Sequence, residues 1–215
     1  VAGSGRPSGP GAQRPGARLA AIDPERDDLA EHVVASRVVH RGHYLTVRVD
    51  TIERADGSQA ERDIVGHPGA VAIVALDGPD VVLVRQWRVA AGRDLLELPA
   101  GTLDVDPASA RTEDPEEAAR RELEEETGLR AGTWRRLASF WTAPGFATER
   151  MHLYLATDLR PALDDRRRPE EDERLRVERV PLEEAIELVG RGEIADAKSI
   201  VGLLWVSREP VGPGG

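Results

Sequence analysis

The stretch Asp114-Pro115-Glu116-Glu117-Ala118-Ala119-Arg120-Arg121-Glu122-Leu123-Glu124-Glu125-Glu126-Thr127-Gly128-Leu129 carries its own helix start and stop. Asp114 is a side-chain cap, Pro115 suits the first turn, and Glu117 completes a capping box. Gly128 then ends the helix at Thr127. Helical spacing puts Glu122 and Glu126 on one face with Glu125 beside them, their Cβ atoms roughly 5–6 Å apart. Carboxylates so close repel, at roughly a few tenths of a kcal/mol per pair. Two arrangements relieve that repulsion. A hard divalent cation would bind to such an oxygen set, or Arg120 and Arg121 would neutralise it in a solvated helix of ion pairs.

The flanking sequence is mostly strand-like. From Ala35 the apolar residues Val38-Val39, and then Leu45, Val47 and Val49 alternating with Tyr44, Thr46 and Arg48, describe extended chain, and Asp56-Gly57 marks a hairpin turn. Apolar runs at Ala70 to Leu76 and Val81 to Gln86 are split by the turn residues Asp77-Gly78-Pro79. Further strands are expected at Thr133 to Trp141, Met151 to Thr157 and Leu175 to Val180. Helices are expected from Pro181 to about Val189 and from Ala197 to about Ser207. Strands outnumber helices in mixed order, and no G-x-G-x-x-G follows a strand. The fold class is therefore α/β (α+β), a mixed-sheet sandwich, in preference to a doubly wound nucleotide fold.

With 215 residues, 40% hydrophobic and 32% charged, the chain is sized for one catalytic domain with appendages. It has no cysteine, which excludes disulfides, thiolate nucleophiles and zinc-thiolate sites. A net charge of −10 argues against nucleic acid as a partner. No apolar run approaches the roughly 18 residues of a membrane span, so no membrane is expected either. Residues Val1 to Leu19 hold five Gly and three Pro and read as a flexible tail. No basic-then-apolar secretory signal opens the chain, so a cytoplasmic location is expected. The expected organisation is a tail over 1–26, an N-terminal strand region over 27–66, a catalytic domain over 67–209 and a flexible end over 210–215.

Glu113, seven intervening residues, then Arg121-Glu122-Leu123, Glu125-Glu126 and Gly128-Leu129 match the Nudix box, G-x5-E-x7-R-E-U-x-E-E-x-G-U with U bulky aliphatic. Glu97-Leu98-Pro99-Ala100-Gly101 lies upstream and Thr142-Ala143-Pro144-Gly145-Phe146 downstream, and the chain from Val38 to Val206 resembles this family. One feature departs from the pattern: Gly101 precedes Glu113 by eleven intervening residues rather than five. The additional residues fall within Asp104 to Thr112, a loop lengthening that costs about 0.6 kcal/mol per doubling. The resemblance implies a Nudix-type α/β/α sandwich whose loop-helix-loop holds Mg²⁺ or Mn²⁺ against a diphosphate. By matching position, Glu122, Glu126 and the backbone carbonyl of Ala100 would be metal ligands, with Glu125 beside them and Glu113 supporting the site. Arg121 would pair with a box carboxylate.

Further features resemble the ADP-ribose pyrophosphatase branch. Pro144 and Gly145 fall where that branch carries a proline, although Pro-Gly alone is simply a turn. Val84-Arg85-Gln86-Trp87-Arg88 leads into Leu96 to Gly101, and Arg88 would face the substrate phosphates, since guanidinium suits bidentate phosphate contact. The extra N-terminal strands, with Arg41-Gly42-His43-Tyr44, imply a homodimer in which Arg62 and Tyr44 contact adenine or ribose in the neighbour's pocket. Glu171, with Glu173 second, would act on the attacking water, although an acidic, Arg-rich loop is also what a solvated linker looks like. His67, beside Pro68-Gly69, reads as structural. The expected activity is Mg²⁺-dependent cleavage of ADP-ribose to AMP and ribose 5-phosphate. The alternatives are another nucleoside diphosphate sugar such as GDP-mannose, a dinucleotide, or a non-catalytic ADP-ribose sensor.

Overall fold

The structure is a computed structural model that describes residues 29–162 and 174–208. Strands β1 (Glu31–Arg41), β2 (Thr46–Arg54) and β3 (Gln59–Gly66) form an antiparallel sheet in that order. The β2–β3 hairpin turns where Asp56-Gly57 predicts it: Gly57 takes φ 79°, and Asp56 Oδ1 accepts from the Ser58 N–H at 2.9 Å. Among the described residues, β1 pairs with β2 along one edge only, and it is exposed over its whole length.

The second sheet has seven strands and is mixed. β4 (Ala70–Asp77), β5 (Asp80–Arg88), β8 (Leu129–Trp141), β9 (Arg150–Pro161) and β10 (Leu175–Pro181) run in the order β10-β5-β4-β9-β8. The short strands β6 (Arg93–Glu97) and β7 (Ala100–Thr102) pair with β5 and β4 respectively. Among the described residues, β4–β9 is the one parallel strand pair of this sheet. Helices α1 (Pro115–Thr127), α2 (Leu182–Gly190) and α3 (Ala197–Val206) complete the chain.

β4 explains why the sheet is covered on both sides. Its run Ala70-Val71-Ala72-Ile73-Val74-Ala75 is buried throughout, which a strand achieves only when both faces are packed. Ala70, Ala72 and Val74 join Leu83, Leu98, Leu153, Ile194 and Leu203 in the core under α2 and α3. Val71, Ile73 and Ala75 face the other way, onto Ala118, Ala119 and Leu123 of α1 and Tyr154 of β9. The result is the expected α/β/α sandwich with an N-terminal strand extension.

Three strands are additions to the sequence reading. β3 was implied by the hairpin but has too many charged residues to stand out, and β6 and β7 are too short to show a period. β1 and β8 also begin four residues earlier than the apolar pattern suggests, at Glu31 and Leu129. No helix among the described residues is long and apolar enough to cross a membrane.

Candidate active site

α1 begins and ends as its sequence dictates. The Asp114 carboxylate accepts from the Glu116 and Glu117 N–H groups at 2.9 and 3.3 Å, and Gly128 closes the helix at φ 68°. Ala118, Ala119 and Leu123 bury against the sheet and fix the rotation of the helix. That rotation carries Glu122 and Glu126 inward with them, leaving these carboxylates 8% and 4% exposed.

The start of β7 is the wall they face. The Ala100 N–H donates to Glu126 Oε2 at 3.0 Å. Gly101 packs so closely on Glu122 that a Cβ there would overlap its carboxylate. Arg121 gathers the remaining acids. Its Nη1 donates to Glu122 at 2.7 Å and Glu125 at 3.0 Å, while Nε and Nη2 take the two Glu113 oxygens at 3.2 and 2.9 Å. Burial opposes the Arg121 charge, but Glu113, Glu122 and Glu125 outweigh it and raise its pKa above the ordinary arginine value. Glu124 points elsewhere, into a two-bond pair with Arg130 at 2.7 and 2.8 Å.

The long loop before α1 closes on itself. Val105 and Thr112 form a β-bridge, and the Glu113 N–H donates to the Asp104 carbonyl at 2.8 Å. The additional residues thus form a small exposed excursion pinched at its base, and Glu113 still reaches Arg121.

Arg88, at the end of β5, forks onto both oxygens of Glu97 at 2.9 and 2.8 Å and feels the charge of Glu126. Lys198 of α3 reaches the same carboxylate, which is 1% exposed. Sequence reading gave Glu97 and Lys198 no role. The available signals were a lone acid inside Leu95-Leu96-Glu97-Leu98 and the fact that Lys198 is the one lysine of the chain.

The other candidates are dispersed within the chain. Arg62 lies on the small sheet, paired with Glu31 of β1. Tyr44 meets the His67 ring edge-on at 5.5 Å. His67 itself is tied down, its Nδ1 accepting from the Gly69 N–H at 3.1 Å and its backbone N–H donating to Thr148 Oγ1 at 2.8 Å. Pro144 and Gly145 are exposed in the β8–β9 loop, which is tethered to β3 by the Val65 N–H donating to the Phe146 carbonyl at 2.7 Å. Glu171 and Glu173 lie outside the described residues.

Among the described residues, no group of three His, Asp or Glu side chains is arranged to hold a cation as it stands; Glu122 and Glu125 turn to Arg121 instead. The donor chemistry nevertheless fits a hard divalent ion. Three carboxylates, those of Glu113, Glu122 and Glu125, surround the Arg121 guanidinium and a fourth, Glu126, lies against Ala100, so negative charge is in surplus. All the donors, with the Ala100 carbonyl, are oxygens.

A NUDIX domain model matches residues 66–201, and a nucleoside diphosphate sugar hydrolase N-terminal domain matches residues 31–65. An ADP-ribose pyrophosphatase of Bacillus subtilis (strain 168) is 37% identical over 179 residues, 83% of this chain and 93% of that protein. One of Mycobacterium tuberculosis (strain ATCC 25618 / H37Rv) is 41% identical over 185 residues, 83% of this chain and 85% of that protein. A GDP-mannose pyrophosphatase of Cronobacter sakazakii (strain ATCC BAA-894) is 35% identical over 176 residues, 74% of this chain and 86% of that protein. A solved structure described as an ADP compounds hydrolase superposes with a TM-score of 0.69 at 26% identity, covering 82% of this chain and 92% of that one. Nudix enzymes generally use divalent metal ions. The chain belongs to the Nudix hydrolase family and carries, ahead of that domain, the N-terminal domain of the nucleoside diphosphate sugar hydrolases.

Proposed function

We propose that the protein hydrolyses ADP-ribose to AMP and ribose 5-phosphate with Mg²⁺, or Mn²⁺, as cofactor. The observation that carries this reading is the gathering of Glu113, Glu122 and Glu125 around Arg121, with Glu122 and Glu126 set against Gly101 and Ala100 of β7. Glu122, Glu126 and the Ala100 carbonyl would hold the metal, joined by Glu125, with Glu113 keeping Arg121 in place. A divalent ion bound there supplies charge neutralisation for the diphosphate and acidifies water.

The chain's own groups supply the rest. Arg88 grips the diphosphate with the N–H groups that Glu97 leaves free. Glu171, or Glu173 if the register is shifted by two, takes the proton of the attacking water. As the water oxygen bonds to one phosphorus, the bridging P–O bond breaks and its electron pair leaves with the other phosphate. Pro144 and Gly145 sit in the loop tethered to β3 and would line the sugar side. Arg62 and Tyr44 would act across a homodimer, because within one chain they stand on or beside the small sheet. The exposed β1 strand, with Val33, Val34, Val38 and Val39 open to solvent, is the surface such a dimer would cover.

The similarity to a GDP-mannose pyrophosphatase favours one second reading, hydrolysis of another nucleoside diphosphate sugar at the same site. Chromatography of the products from ADP-ribose and Mg²⁺ tests the proposal. Appearance of AMP with ribose 5-phosphate is the expected result.

A further inference from the structure

We propose that Lys198 is a positioning residue: from the first turn of α3 it fixes Glu97, and through Glu97 the Arg88 guanidinium, in the orientation that grips the substrate diphosphate. This rests on the role given to Arg88 above.

Four charged side chains form one chain of contacts running outward from the interior. Glu97 is 1% exposed, Lys198 13%, Asp196 14% and Arg88 41%. Lys198 Nζ donates to Glu97 Oε2 and to Asp196 Oδ2, the latter at 2.9 Å. Arg88 Nη2 shares that same Glu97 oxygen at 2.8 Å, and Arg88 Nε takes the other at 2.9 Å. Two of the five guanidinium N–H donors are thereby committed, and the remainder stay available for a ligand.

Burial disfavours the Glu97 carboxylate, yet Arg88 and Lys198 outweigh it and hold its pKa below the ordinary value. Glu97 is therefore a fixed anionic fork rather than a group that changes state near neutral pH. Asp196 Oδ2 also accepts from the Ser199 N–H at 3.2 Å, capping α3, while Lys198 supplies its ion-pair partner and its Oδ1 is buried without a hydrogen-bond partner.

The same turn of α3 anchors the neighbouring backbone. The Leu98 N–H donates to Ser199 Oγ at 2.7 Å, and Ser199 is fully buried. Burying charges is a poor way to stabilise a fold, since apolar residues of similar volume commonly do as well or better. A buried cluster whose most exposed member is Arg88 is better explained by holding that guanidinium still than by stability.

The test uses the full chain carrying Lys198→Met, Lys198→Arg, Lys198→Met with Asp196→Asn, and Arg88→Gln. Read-outs are KM and kcat for ADP-ribose, thermal midpoint, and hydrogen exchange at the Arg88 Nε–H, whose resonance is assigned by its loss in Arg88→Gln. Lys198→Met should raise KM about 10- to 100-fold, by analogy with the loss when an outer partner of a metal ligand is removed, with a smaller change in kcat, and should speed Arg88 Nε–H exchange. Lys198→Arg should restore most of the affinity. The double variant removes the uncompensated carboxylate, so it should recover the thermal midpoint but not KM. Normal KM and a slow Arg88 Nε–H in the double variant would overturn the proposal, leaving Lys198 a purely structural residue. If Arg88→Gln itself leaves KM unchanged, the role of Arg88 fails and the proposal with it. If Arg88→Gln raises KM while Lys198→Met is silent, the positioning role alone fails.

Discussion

At the scale of single residues, four glutamates within five positions of one helix serve different ends because of where each points. Glu122 and Glu126 turn in with the apolar face, Glu125 reaches Arg121, and Glu124 leaves for Arg130. Glu126→Gln removes, at constant size, the charge of a carboxylate proposed above as a metal ligand. Turnover should fall by more than about 100-fold, because even outer partners of metal ligands cost 10- to 100-fold, and Mn²⁺ affinity measured by electron paramagnetic resonance should fall with it. Glu124→Gln should leave both unchanged and cost about 1 kcal/mol or less of stability, as a partly exposed ion pair does. The attacking water offers a second comparison. Glu171→Gln should lower kcat far more than it weakens substrate binding, and Glu173→Gln should have little effect, because a group acting on the water matters chiefly in the transition state. A large loss in Glu173→Gln alone would shift the assignment by two residues. The box acids were legible because helical spacing is local arithmetic. The Lys198–Glu97 contact was not, because it joins residues 101 positions apart and exists only once α3 docks.

At the scale of elements, two glycines separate activity from stability. The atoms nearest a Cβ on Gly101 would be those at the end of the Glu122 side chain, which can move aside. Gly101→Ala should therefore keep the thermal midpoint within a few degrees while displacing Glu122 and cutting turnover sharply. Gly202, on α3, faces the core: a Cβ there would come within 2.5 Å of a Leu98 methyl and 3.0 Å of a Val74 methyl. Gly202→Ala should cost about 1–3 kcal/mol, as overpacking does, read by thermal or urea unfolding. The elements differ equally in how far the sequence reveals them. α1 announces both ends through Asp114, Pro115 and Gly128, and β4 announces its burial through an unbroken apolar run. β6 and β7 do neither, because Leu96 to Gly101 reads as one run although Leu98 and Pro99 divide it between two strands paired to different neighbours. The lengthened loop was countable from the Gly101–Glu113 spacing, but its closure through the Asp104–Glu113 bond depends on backbone geometry that no spacing encodes.

For the whole molecule, the N-terminal sheet is the part with least to do in a single chain. An eleven-residue edge strand exposed throughout, with four open valines, invites a partner. Sedimentation should show a dimer, and removal of Val1 to Leu19 should leave both dimer and activity intact. Aspartate at Val34 and Val38 together should shift the protein toward monomer and raise KM, because Arg62 and Tyr44 would no longer reach a neighbour's site. A fully active monomer would contradict the shared pocket. Overall architecture was legible from strand number and order, whereas the use of the small sheet depends on what covers it. In the proposed function this carboxylate-lined site cleaves the diphosphate of ADP-ribose. Its most direct test is the ratio kcat/KM, with Mg²⁺, across ADP-ribose, GDP-mannose, other nucleoside diphosphate sugars and dinucleotides, with the products identified chromatographically. The prediction is a clear maximum for ADP-ribose, yielding AMP and ribose 5-phosphate. A maximum for GDP-mannose, or tight binding of ADP-ribose with no turnover, would contradict it.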